Sequence, residues 1–270
     1  MLPLQDDIPS RSIPYVNYAI IALCGLVFLL QLADQPGEPS MVERFGMIPV
    51  RVLHPNEPVI IQQLGYEDSP HGPREVVVEQ EAAASAVPAV LTVFTCIFLH
   101  GGWMHLIGNM WFLFIFGDNI EDRFGHVGYA LFYVASGIAA GLVHLMSGPS
   151  SPVPTIGASG AIAGVLGAYF LWYRNAKVKA LVPLGGFVQV MVLPAPIFLG
   201  FWFVIQLFQG TMSIMTTEGG GVAWWAHIGG FAVGLALAFV AGQLNLIAPL
   251  NDTRDESAKL RPNFGSRRRY

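Results

Sequence analysis

Six apolar runs dominate this chain, and they leave it few ways to fold. They are Tyr15 to Leu32, a stretch within Val87 to Phe116, Val127 to Met146, Ser159 to Tyr173, Val190 to Phe208 and Trp224 to Gly242. A helix crossing the hydrocarbon of a membrane needs about 20 apolar residues. Only 12% of the 270 residues are charged and 53% are hydrophobic, roughly half the charge of an ordinary soluble domain. The pattern points to an all-α integral membrane protein, a single six-transmembrane-helix bundle. Cys24 and Cys96 both lie in apolar segments without ligand-like neighbours, which excludes a disulfide framework and reads as small apolar filler. The first run lacks a small-residue cleavage site, so it reads as a retained span and not as a signal peptide.

The 30 residues from Val87 to Phe116 are long for one span, and His100-Gly101-Gly102 interrupts them. The spacing predicts Val87 to Leu99 in or near the interface and Trp103 to Phe116 as the crossing helix. Charge sorts with the same count of six. Of 14 Lys and Arg, 11 fall on one side: Arg11, Arg123, Arg174, Lys177, Lys179 and six in the tail. Only Arg44, Arg51 and Arg74 fall on the other. The positive-inside tendency then places both termini in the cytoplasm. The expected organisation is a cytoplasmic segment 1–14, a helical domain 15–242 containing a long outer loop 33–86, and a basic cytoplasmic tail 243–270. The loop carries nine carboxylates against three arginines. The tail, ending in Arg267-Arg268-Arg269, reads as an extension attracted to anionic lipid and not as a nucleic-acid-binding arm.

Polar groups inside a membrane are costly, and those that persist point to function. Four stand out: His105, Asn109, Ser159 and His227. His105 and Asn109 stand at i and i+4 on one helix face, where such a pair alone reads more readily as interhelical glue than as catalysis. Ser159 alone reads as a helix-capping serine, and His227 alone as a core histidine. Together they fall near the outer ends of their predicted helices. A zinc site from His100 and His105 is disfavoured, because a spacing of five turns them to different faces. No metal or cofactor is expected.

Length adds a geometric constraint. Ser159 to Arg174 rises only about 24 Å as a helix, against roughly 30 Å of hydrocarbon. Ser159 is therefore expected several Å below the outer surface, with the Ser/Pro/Gly-rich stretch from Ser147 to Pro154 dipping to meet it. Irregular backbone at such depth needs a protein-lined or wet cavity. Gly160, Gly164 and Gly167 form one small face, and Gly230 and Gly234 share a face with His227. Such faces let membrane helices pack closely, which would join Ser159 to His227 across 68 positions. No Asp or Glu lies inside any expected span. A Ser-His-Asp triad is thus unsupported, and a Ser-His dyad remains, with His227 as general base. The Ser159 N–H, the helix N-terminus, His105 and Asn109 are the available oxyanion donors.

At these residues the chain resembles the rhomboid family of intramembrane serine proteases, in its bacterial type with a six-helix core. The resemblance rests on His105-Leu106-Ile107-Gly108-Asn109, Glu121-Asp122-Arg123, Gly157-Ala158-Ser159-Gly160, and Ala226-His227 with Gly230 and Gly234. It covers about Phe94 to Phe239 and the first helix. It implies that Ser159 is the nucleophile, that His227 is the base, and that His105 and Asn109 serve the oxyanion. It further implies that Glu121 and Arg123 are structural and that Val87 to Leu99 belongs to a membrane-embedded first outer loop. The aromatic-rich fifth span would be a lateral gate. The expected substrates are transmembrane proteins, cleaved in or near their spans, and the expected setting is a bacterial inner (plasma) membrane. Some members carry an aromatic four residues after the serine, packed on the histidine. Here that position is Ala163, and what orients His227 stays open. The alternative is a non-catalytic pseudoprotease that binds transmembrane segments. A transporter is disfavoured, since the polar groups gather toward one side and no buried carboxylate offers an ion site.

Overall fold

The computed structural model describes residues 1–35, 38–69, 72–215 and 223–248. Its framework is helical. α1 (Tyr15–Gln31) leads to two short helices, α2 (Met41–Phe45) and α3 (Pro49–Leu53). Short helical turns at Ala89–Leu91, Thr92–Thr95 (α4) and Cys96–Phe98 precede the long α5 (Trp103–Ser147). α6 (Ser159–Trp172), α7 (Ala195–Met215) and α8 (Trp224–Gln243) complete the set.

The all-α expectation needs correction. β1 (Leu2–Asp6) pairs antiparallel with β4 (Lys177–Leu184), which pairs with β5 (Phe187–Pro194) in a three-stranded sheet. β2 (Ile60–Ser69) and β3 (Gly72–Glu81) form a hairpin within the loop 33–86. The fifth apolar run therefore starts as a strand. Val190 to Pro194 pair with β4, and the helix begins only at Ala195. Val178, Ala180 and Val182 point inward on β4, and Gly185 takes a positive φ of 64° at its turn. The alternation of period two and the Gly185-Gly186 turn override the apolar continuity of the run.

Only α5, α7 and α8 are long and apolar enough among the described residues to cross a membrane. α5 is broken at Gly125, whose φ of 69° lies outside the right-handed helix region and suits a residue without Cβ. Each half rises about 33 Å. The residues Asp118 to Arg123, expected as a loop, continue the first half as helix. α1 and α6 are shorter, at 17 and 14 residues. Of the expected tail 243–270, residues 249–270 lie outside the described residues.

α6 is the axis of the core. Gly160 to Tyr169 are all buried, as suits a helix apolar on every side. It packs most extensively on α8 and then on α5. A Cβ on Gly230 would overlap the Gly160 carbonyl oxygen, one on Gly234 would overlap Gly164, and one on Gly167 would overlap the Phe231 carbonyl. The two backbones touch. Across from this seam, Gly164 faces Ser136 and Gly160 faces Ala140, both on α5.

Polar side chains tie the ends. The buried Glu121 carboxylate accepts from the Val16 and Asn17 N–H groups at 3.0 and 2.8 Å, capping α1 across the chain. Asn17 in turn donates to the Leu113 carbonyl and accepts from Tyr129. Arg123 donates to the Ala248 carbonyl and lies over the Trp172 ring, 4.9 Å away. These contacts suit the structural part assigned to Glu121 and Arg123. Asp122 accepts from the Arg11 and Ser12 N–H groups. Together with the β1–β4 pairing, they gather the N-terminus, the residues 118–123 and the β4–β5 hairpin at one end of the bundle. At the other end Met47 bridges Thr155, Thr95 donates to the Phe45 carbonyl, and the Gln31 amide clamps both the N–H and the carbonyl of His100.

Two predictions follow from this packing. Gly230→Ala should lower stability by about 3 kcal/mol, since backbone meets backbone there. Gly25→Ala, with open space at its Cβ, should change it by less than about 1 kcal/mol. Thermal unfolding in detergent compares them, and equal melting temperatures would refute the close seam. The second concerns Asp6, which accepts from Tyr169 Oη at 2.5 Å. Burial, with Asp118 and Asp7 nearby, pushes its carboxyl up from 3.8 to about 7, against the opposing Tyr169 bond. The folded state thus binds this proton more tightly than the unfolded one. The stability it contributes is full below about pH 4 and is lost as pH rises through 7. The melting temperature should fall between about pH 4 and 7, and Asp6→Asn should flatten that fall. An unchanged slope in the variant would contradict the linkage.

Candidate active site

Ser159 is the first residue of α6, preceded by a sharp bend. Gly157 has φ 124°, a conformation that disfavours a side chain, and its N–H donates to the Cys96 carbonyl at 2.9 Å. That bond ties the serine loop to the helical turns of 89–98. A Cβ on Gly157 would also crowd the His105 ring at 2.9 Å, so glycine is required there twice over.

Ser159 does not cap its helix. Ala158 holds the capping position, and no side chain caps α6. The Ser159 hydroxyl instead meets His227 Nε2 at 2.8 Å. His227 sits in the first turn of α8, buried, three residues before Gly230. The seam that brings Gly160 against Gly230 brings these two side chains together.

The second ring nitrogen of His227 also has a partner. His227 Nδ1 lies 2.6 Å from Oε1 of Gln206, a buried residue of α7. Two indole rings flank the imidazole. Trp202 lies 6.0 Å away at a tilt of 35°, and Trp224 lies 6.0 Å away nearly perpendicular. Ala163 is fully buried against the α8 backbone near Gly230, so its seam position has no room for a ring. Gln206 was legible, being the one polar side chain between Val190 and Phe208, but the aromatics of that run outweighed it.

His105 and Asn109 occupy one face of α5. His105 Nδ1 accepts from the Gly101 N–H at 3.2 Å, and its other ring edge faces Gly157, beside Ser159. Asn109 is buried, and among the described residues its Nδ2 makes no hydrogen bond. A buried amide with an unused donor is costly unless something meets it in use. His100 stacks edge-on to His105 with ring centroids 5.2 Å apart. A small cavity beside Ser159 is lined by Cys96, Gly137, Ala140, Gly157, Gly160 and Ala226. The arrangement offers a serine hydroxyl, a nitrogen able to take its proton, and an unused donor on α5.

Known proteins share this region. A family model described as the Rhomboid domain matches residues 88–244. RHOMBOID-like protein 5 of Arabidopsis thaliana is 32% identical over 155 residues, 55% of this chain and 43% of that protein. Rhomboid-like protein 11, chloroplastic, of the same plant is 29% identical over 178 residues, 63% of this chain and 59% of that protein. Rhomboid protease GluP of Bacillus subtilis (strain 168) is 33% identical over 162 residues, 58% of this chain and 29% of that protein. The chain thus matches less than two thirds of the length of each of these relatives.

Proposed function

The chain belongs to the rhomboid family, and we propose on that footing that it is an intramembrane serine endopeptidase. The observation that carries the reading is the 2.8 Å contact between Ser159 Oγ and His227 Nε2 at the meeting of α6 and α8. In this reading His227 takes the Ser159 proton as Oγ attacks the scissile carbonyl of a transmembrane substrate. The protonated imidazole then gives that proton to the leaving amine. Water, activated by the same nitrogen, releases the acyl group. The oxyanion is met by the Ser159 N–H, which precedes the first intrahelical bonds of α6, and by Asn109 Nδ2, with His105 beside them.

The membrane setting of this reading is six crossings, in chain order α1, the two halves of α5, α6, α7 and α8. The contacts at the two bundle ends support it. The segments carrying Arg11, Arg123, Lys177 and Lys179 share one end, which the positive-inside tendency makes cytoplasmic. Segments 1–14 and 243–270 then flank a protease domain 15–242, with both termini inside, in a bacterial inner membrane. The turns at 89–98 expose Val90, Leu91 and Phe94 while burying Val93, Cys96 and Ile97, which suits a place in the outer interface. The 14-residue α6 is too short to span alone, so Ser159 lies below the outer surface.

Ser159→Ala should abolish cleavage of a model transmembrane substrate in proteoliposomes while the melting temperature holds. Asn109→Ala should cut the rate on the order of tenfold to a thousandfold. Undiminished cleavage by Ser159→Ala would sink the reading. Substrate binding without cleavage by the wild type would favour the pseudoprotease.

A further inference from the structure

We propose that Gln206 is the positioning residue for His227, and that α7 thereby carries part of the base's apparatus. The inference rests on the proposed function. Its physical content is the tautomer. Nε2 can take the Ser159 proton only if it bears a lone pair. A neutral imidazole has one N–H, so the proton then sits on Nδ1. A buried N–H needs an acceptor, and Gln206 Oε1 stands 2.6 Å from Nδ1. Soluble serine hydrolases place a carboxylate there. Within a membrane a carboxylate is expensive, and an amide oxygen fixes the same tautomer without a charge.

α7 supplies the ring as well as the acceptor. Trp202 stands one turn before Gln206 on the same helix face, and both meet His227. The helix that carries them is lightly held. It packs mainly on α8, with Gly210 against Ile228 and Trp224, and it exposes Ile197, Phe201, Val204 and Phe208 along the opposite stripe. Outward displacement of α7 would remove the acceptor and the indole together. The lone pair on Nε2 is then no longer enforced, and the base is disarmed while Ser159, His105 and Asn109 stay in place.

The test pairs Gln206→Met, which keeps volume but removes the acceptor, with Gln206→Glu, which restores an oxygen at the same atom. Gln206→Met should lose about tenfold to a hundredfold in kcat with KM nearly unchanged. Gln206→Glu should recover most of that loss, a rescue that a packing role would not give. A Gln206→Met rate equal to wild type, or Gln206→Glu no better than Gln206→Met, overturns the proposal. A second readout needs no turnover. In protein labelled with ¹⁵N-histidine, the His227 ring, assigned by its absence in His227→Ala, should be protonated at Nδ1. Protonation at Nε2 in the wild type overturns the proposal even if Gln206→Met does not fold. If the wild type cleaves nothing, the endopeptidase reading fails, while the ring spectrum still decides the role of Gln206.

Discussion

The backbone contact between α6 and α8 is what the rest of the molecule depends on. In lipid, apolar side chains gain little by leaving one oily neighbour for another, so helices associate through close packing and polar contacts. Glycines supply that closeness here. Gly160 meets Gly230, Gly164 meets Gly234, and Gly167 meets the Phe231 carbonyl. Ser159 stands one residue before this seam on α6, and His227 three residues before it on α8. Their 2.8 Å separation is a consequence of how the core packs, and a Cβ in the seam would disturb both at once.

Around that seam the buried polar groups divide into two kinds. Some are matched and hold the frame. Asn17 bridges α1 to α5, Glu121 caps α1, and Gln31 clamps the His100 backbone. The Nδ2 of Asn109 is one of several buried polar atoms without a hydrogen-bond partner among the described residues, as are Ser136 Oγ, Tyr133 Oη and both ring nitrogens of His100. In the proposed reaction Asn109 is the one that meets the oxyanion, on a scaffold that the matched groups stiffen. α7 stands apart from both kinds. It touches the site through one amide and one indole and exposes much of its remaining surface.

Much of this was legible in the sequence, for physical reasons. Apolar runs at helical length, small residues at spacings of three and four, and isolated polar residues each have a single economical explanation in a membrane. That is why the glycine faces and the pairing of Ser159 with His227 could be read across 68 positions. The β4–β5 hairpin was hidden because Val190 to Leu193 extend the apolar run of α7, and length outweighed the alternation on β4. The residues Asp118 to Arg123 read as a loop because charge suggests solvent. Yet Glu121 and Arg123 are buried there as helix, Glu121 accepting from α1 and Arg123 donating to the Ala248 carbonyl. Gln206 stood out as a polar residue in its run but was outweighed by the aromatics, and its partner on α8 is fixed by tertiary contact and by no spacing along the chain.

The most direct measurement of the central claim is phosphonylation of the purified protein by a fluorophosphonate, with the modified residue identified by mass spectrometry. The dyad predicts one adduct, on Ser159, that disappears in His227→Ala although that variant retains its fold. An adduct on another residue, or labelling of Ser159 that is equally fast without His227, would contradict it.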